Sequence, residues 1–129
     1  MGCRPRRSPG RCDDVPITLG AGTHGIYPSR DACVLYVTSR IAGTVSVLDP
    51  VTGAIEATWP VPGGSPDMGG VTADGTQLWL SGRYNREVYV ISTADGSLLA
   101  RIPVGDGPHG LCVWPQPGRY SLGHTGVTR

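Results

Sequence analysis

Residues 31–61 read DACVLYVTSRIAGTVSVLDPVTGAIEATWPV, and residues 74–104 read DGTQLWLSGRYNREVYVISTADGSLLARIPV. Laid one on the other at an offset of 43 residues, the two segments hold register from end to end without an insertion. Asp31 falls on Asp74, Ser39-Arg40 on Gly82-Arg83, Val45-Ser46-Val47 on Val88-Tyr89-Val90, Thr52-Gly53 on Asp95-Gly96, and Val61 on Val104. Self-similarity at a fixed period marks a repeat architecture, in which each unit buries its apolar face by stacking on a neighbour. The register extends upstream of each copy. Gly22-Thr23-His24-Gly25 heads the first, Ser65-Pro66-Asp67-Met68 the second, and Gly107-Pro108-His109-Gly110 opens a third that stops early in the Trp114–Gly118 turn region and the Arg119–Arg129 tail.

Within each unit the apolar residues alternate with period two, the signature of strands rather than helices. The first unit predicts strands near Gly25–Tyr27, Val34–Ser39, Thr44–Asp49 and Ile55–Val61; the second near Gly70–Thr72, Gln77–Ser81, Glu87–Ser92 and Leu98–Val104. Gly110–Trp114 reads as one further inner strand. Between them stand turn signals, Pro28-Ser29-Arg30-Asp31, Ala42-Gly43, Asp49-Pro50-Val51-Thr52-Gly53, Ala73-Asp74-Gly75 and Ala94-Asp95-Gly96, in which glycine supplies positive φ at no steric cost. Four strands in about 40–45 residues describe a propeller blade. The expected fold is therefore all-β, a partial β-propeller of two four-stranded antiparallel blades plus the start of a third. The expected boundaries are a non-repeat, disordered tail over 1–16, a first blade over 17–62, a second over 63–105, and an incomplete third with its tail over 106–129.

Composition agrees with many strands and tight turns. The chain has 20 Gly and 12 Pro in 129 residues, bracketing short β-branched runs. Phe is absent, so Val, Leu, Ile, Trp and Tyr must build the core, and Trp59, Trp79 and Trp114 are expected to fill gaps between blades. A net charge of +1 offers no field for nucleic acid or an anionic membrane. No apolar run is long enough to span a bilayer, and Met1 to Asp14 lacks the apolar core of a secretory signal. Cys3, Cys12, Cys33 and Cys112 match no zinc or redox spacing and read as free or buried thiols, with a Cys3–Cys12 bridge as the other possibility.

The run Leu35-Tyr36-Val37-Thr38-Ser39, followed by Gly43-Thr44-Val45-Ser46-Val47-Leu48-Asp49-Pro50-Val51-Thr52-Gly53, closely resembles the YVTN β-propeller repeat, with Ser39 in place of its Asn. The second copy departs further, with Leu78-Trp79-Leu80-Ser81-Gly82 in place of the opening motif, while Val88-Tyr89-Val90-Ile91-Ser92 still fits. Val104-Gly105-Asp106-Gly107-Pro108 resembles the family's junction between blades. The resemblance covers about Ile17 to Val113. It implies a bacterial or archaeal, secreted, periplasmic or cell-surface setting, with a protein, glycan or small ligand recognised at the mouth of the central channel. Closed propellers have about four to eight blades, so the chain is expected to be the carboxy-terminal portion of a longer propeller; self-association to close the ring and a stable open stack are the alternatives.

Candidate site residues follow from the repeat. His24, Asp67 and His109 stand at equivalent positions, just ahead of the innermost strand of each unit, where successive blades would ring the axis. Imidazole and carboxylate are ordinary metal ligands and equally able to grip a small polar ligand. If a metal binds, His24 and His109 are its expected ligands. The competing reading has these side chains capping turns. Arg40 and Arg83 recur after the second strand of each unit, and Arg83 with Tyr84 is a candidate cation–π surface, against a solvated turn. His124 is a weaker candidate for the same group. No nucleophile elbow, phosphate loop or dinucleotide fingerprint is present, and no cofactor is expected. The leading function is a non-enzymatic binding or scaffolding module. The alternatives are part of a metal- or quinone-dependent propeller oxidoreductase, as some related-looking propellers are, and a fragment without independent function.

Overall fold

The computed structural model describes residues 16–114. They form eight strands: β1 Thr23–Pro28, β2 Leu35–Ser39, β3 Thr44–Leu48, β4 Ile55–Pro60, β5 Pro66–Val71, β6 Gln77–Gly82, β7 Glu87–Ser92 and β8 Leu98–Pro103. These make two antiparallel sheets, each a simple meander, β1-β2-β3-β4 and β5-β6-β7-β8. Chain neighbours pair throughout, as tight turns between β-branched runs require. No helix among the described residues is long and apolar enough to cross a membrane.

The 43-residue repeat is reproduced in the ladders. Tyr36 pairs with Val47 and Val45 with Trp59 in the first sheet; Trp79 pairs with Val90 and Val88 with Ile102 in the second. The register slips at matched places too, between Thr23 and Ile26 and between Pro66 and Gly69. Both inner strands therefore begin earlier than predicted, at Thr23 and Pro66. The proline stands at the first position of its strand, where its missing N–H costs the ladder least. Gly110–Trp114 is not a strand. A lone inner strand has no ladder without its hairpin mate, and the positions that would supply one fall outside the described residues.

The two sheets pack face to face, with β5 against β1 and β2. One face of the first sheet brings Tyr36, Val45 and Val47, with Tyr27, against Leu78, Leu80, Tyr89 and Ile91 of the second. Each large side chain removed from water there contributes about 1.5–3 kcal/mol. Trp59 closes the outer part of this interface, its ring centroid 5.6 Å from that of Tyr36. Gly96, in the β7–β8 turn at φ +75°, leaves the space the indole occupies: a Cβ there would stand 2.0 Å from Trp59 Cγ. The expected wedging role thus holds for Trp59. Trp79 is half-buried and donates its indole N–H to Gln77, and Trp114 is exposed.

Polar staples pin the same interface. Tyr27 Oη accepts from the Gly69 N–H at 2.9 Å. Arg30 donates to the carbonyls of Thr72 and Val71 at 2.8 and 2.9 Å. At the opposite ends of the strands from the candidate site, the turns are built alike. Asp31 accepts from Ser29 and from the Cys33 N–H; Asp74 accepts from Thr72 and from the N–H and hydroxyl of Thr76. The hydroxyl donor, Ser29 or Thr72, is the largest influence in each case. It lowers the Asp31 carboxyl below its ordinary value and brings Asp74 down to about 2. Cys33 is disulfide-bonded, contrary to the free-thiol expectation; cysteine spacing alone does not encode pairing. Cys112 is a free, exposed thiol. Cys3, Cys12 and His124 lie outside the described residues.

Candidate functional site: a buried carboxylate ringed by cationic side chains

The two inner-strand bulges fall at His24-Gly25 and Asp67-Met68. A bulge inserts an unpaired residue and re-aims its side chain. His24 and Asp67 therefore lie within strands, as bulge residues, rather than ahead of them. His109 follows in the third copy. Two hydroxyls hold the three segments in step. Thr38 accepts from the Gly25 N–H and donates to the Asp67 carbonyl, both at 2.8 Å. Ser81, its repeat equivalent, accepts from the Met68 N–H at 3.2 Å and donates to the His109 carbonyl at 2.7 Å. The third segment is thus docked on the second sheet by the bond that docks β5 on the first, although it forms no strand.

This docking brings all five predicted residues together. Asp67 has a fully buried side chain. Around its carboxylate stand His24 Nδ1 at 2.7 Å, Arg40 Nη1 at 3.7 Å, Arg83 Nη1 at 3.8 Å and His109 Nε2 at 3.9 Å. The His24 and His109 rings lie 5.8 Å apart. Despite the short His24 contact, neither Asp67 oxygen accepts an aligned hydrogen bond, and Arg40 Nε and Nη1 are buried without a hydrogen-bond partner. The carboxylate is thus held in ion-pair contacts with the surrounding side chains. A buried carboxylate is tolerated only when paired. Each guanidinium at about 4 Å contributes ~4 kcal/mol of attraction at an effective dielectric near 20, before salt screening.

The cation–π partner of Tyr84 is Arg40, 5.9 Å above the ring, and not its neighbour Arg83. The contact crosses from one repeat to the next, which no local pattern signals. Nor is Arg40 a solvated-turn residue, since two of its guanidinium nitrogens are buried.

His24, Asp67 and His109 offer one donor atom each, all within 4.8 Å of one another. Two donors about 2.0–2.2 Å from a tetrahedral zinc stand roughly 3.4 Å apart. The 2.7 Å His24–Asp67 contact is shorter than that spacing. Two guanidiniums beside the same carboxylate also oppose a divalent cation. As it stands, with His24 in contact with Asp67 and two arginines beside it, the arrangement is an ion-pair cluster.

Solved structures similar to this chain include Kuenenia stuttgartiensis hydrazine synthase, 24% identical with a TM-score of 0.63, covering 78% of this chain and 29% of that one. A luciferin-regenerating enzyme is 21% identical with a TM-score of 0.56, covering 68% of this chain and 32% of that one. The dihydro-heme d1 dehydrogenase NirN is 23% identical with a TM-score of 0.53, covering 68% of this chain and 19% of that one. At these identities the likeness shows the fold alone, and this chain spans less than a third of the length of each. No curated protein matches the chain. Residues 4–118 match the family described as YNCE-like beta-propeller, in keeping with the YVTN-type repeat. The chain belongs to the YncE-like β-propeller family.

Proposed function

We propose that this chain supplies two blades and part of the channel mouth of a non-enzymatic binding propeller, gripping a small polar ligand through His24, Arg40, Asp67, Arg83 and His109. One observation carries the reading: a fully buried carboxylate, Asp67, is the meeting point of four cationic or imidazole side chains drawn from three successive repeats. The hydroxyl latches at Thr38 and Ser81 hold the segments together, and the exposed parts of His24, Arg83 and His109 leave the cluster open to a ligand. In a closed ring each further blade would add its own residues to the rim, from the same polypeptide or from another copy of this chain. A secreted, periplasmic or cell-surface setting suits such a module.

A second reading, part of a metal-dependent propeller oxidoreductase, has the three-donor grouping in its favour. Native mass spectrometry with elemental analysis separates the two. The binding-module reading expects a small molecule retained at one per chain by the purified protein and lost from the double variant His24→Ala/His109→Ala, with no stoichiometric metal. A bound transition metal accompanied by redox turnover would falsify it.

A further inference from the structure

We propose that the ligand of the Asp67 cluster is a small oxyanion, presenting one carboxylate or phosphate group to Arg40, Arg83 and the two imidazoles. The inference rests on the reading of this cluster as a ligand site and assigns the chemistry of what it takes. Charge comes first. Arg40 and Arg83 outnumber the single carboxylate, so the cluster carries one positive charge in excess with both histidines neutral, and more if either is protonated. Access comes second. Asp67 has no exposure, whereas the side chains of His24, Arg83 and His109 are 31%, 38% and 50% exposed. A ligand arriving from solvent meets a cationic and N–H-bearing rim, with the carboxylate behind it.

Unused donors come third. The guanidiniums stand 3.7 and 3.8 Å from Asp67, beyond the 2.7–3.2 Å of a hydrogen bond. Arg40 turns its buried Nε and Nη1 inward, whereas the 38% exposed Arg83 side chain is open to a ligand from solvent. A carboxylate or phosphate is the partner that a guanidinium fork fits, often in bidentate fashion. The Tyr84 ring, its centroid 5.9 Å from Arg40 Cζ, adds a cation–π contact on that side. Asp67 then lies behind these donors with no exposure of its own, and its charge moderates the affinity.

That last role gives a test of opposite sign for anion and metal. Isothermal titration calorimetry would be run on the whole chain with sodium phosphate, sodium succinate and zinc chloride in separate titrations. The proteins would be the unaltered chain, Arg83→Gln and Asp67→Asn. The amide replacement removes the charge and keeps the size of the side chain, and circular dichroism checks that both variants keep their strands. The expected result is one-to-one binding of phosphate or succinate, the better of the two identifying the oxyanion class. That binding should be weakened by roughly tenfold in Arg83→Gln, as befits a charge-assisted contact. In Asp67→Asn it should tighten, since a repelling carboxylate is gone. Zinc bound one-to-one by the unaltered chain and lost in Asp67→Asn would overturn the oxyanion proposal while leaving a ligand site in place. If phosphate, succinate and zinc all fail to bind, the proposal falls, and the reading of the cluster as a ligand site falls with it.

Discussion

β1 and β5 are the same strand of the repeat in two environments. All six residues of β5 are buried, whereas in β1 only Gly25 and Tyr27 are. The ladder partners and the bulge coincide, so the difference lies outside the strands. β5 has the first sheet on one side and the docked His109 segment on the other, whereas β1 has only the second sheet beside it among the described residues. The side chains follow. Ile26 is 61% exposed, and its repeat equivalent is Gly69, where a Cβ would lie 1.7 Å from the Trp79 carbonyl oxygen. Likewise exposed His24 corresponds to fully buried Asp67. Stacking a second sheet on the first turns a rim position into the centre of a charged cluster, so the repeat specifies placement and the neighbouring blade specifies chemistry.

The sharpest way to break this comparison is to exchange the demands of the two strands. Gly69→Val must push backbone aside; we expect at least about 4 kcal/mol lost in urea unfolding, or no cooperative transition at all, in the range of severe overpacking and strain. Ile26→Ala at the matching position should cost no more than ~0.5 kcal/mol, as exposed substitutions do. Equal losses at the two sites would remove the environmental distinction.

Interface leucines give the next largest contrast. Leu78 is completely buried between the sheets, and its equivalent Leu35 is only half-buried. Leu78→Ala is expected to cost about 3 kcal/mol through lost transfer and cavity terms. Leu35→Ala should cost about 1 kcal/mol, since less of its surface leaves water. The hydroxyl latches come below these. Thr38→Val leaves the Gly25 N–H and the Asp67 carbonyl without the partner that joins them, a loss of about 1–3 kcal/mol for orphaned buried groups. Ser81→Ala should release the 107–112 segment, seen as faster amide exchange there, with a smaller change in global stability.

How far the sequence could foretell this follows from the range of the forces. The strands were readable because period-two alternation and glycine turns are local: predicted Glu87–Ser92 coincides with β7, and predicted Leu98–Val104 overshoots β8 by one residue. The starts of β1 and β5 were missed because the bulge displaces the pairing, and Ser65-Pro66 looks like a turn in isolation. Equivalence of His24, Asp67 and His109 was legible from the offset alone, as was the recurrence of Arg40 and Arg83. Burial of Asp67 was not, since it depends on β1, on β6 and on the His109 segment at once. Neither was the pairing of Arg40 with Tyr84, which spans the repeat boundary, nor the disulfide at Cys33.

The smallest expected effect concerns the far turns. Asp74 is held at about 2, below its ordinary 3.8, by Thr72 and Thr76. Because the folded value is depressed, the stability it contributes is present above 3.8 and is lost as the pH falls from there towards 2. Carbon-detected NMR titration should place its midpoint near 2, and Thr72→Val should move it upward. Asp95, lowered chiefly by Ser97, should behave in the same sense. As these carboxyls are exposed, global stability should change little.

Native-state exchange of the Gly69 amide tests the central claim most directly. This N–H belongs to β5 but donates to Tyr27 Oη of β1, so it reports the stacking of one blade on the next and nothing else in the ladder. Gly69 is predicted to exchange only through global unfolding, at the slow limit of the molecule, and Tyr27→Phe should accelerate it while β7 amides remain protected. Exchange at Gly69 as fast as at an exposed amide in the unaltered chain would contradict the account, for the two sheets would then not be held in the register that gathers the cluster around Asp67.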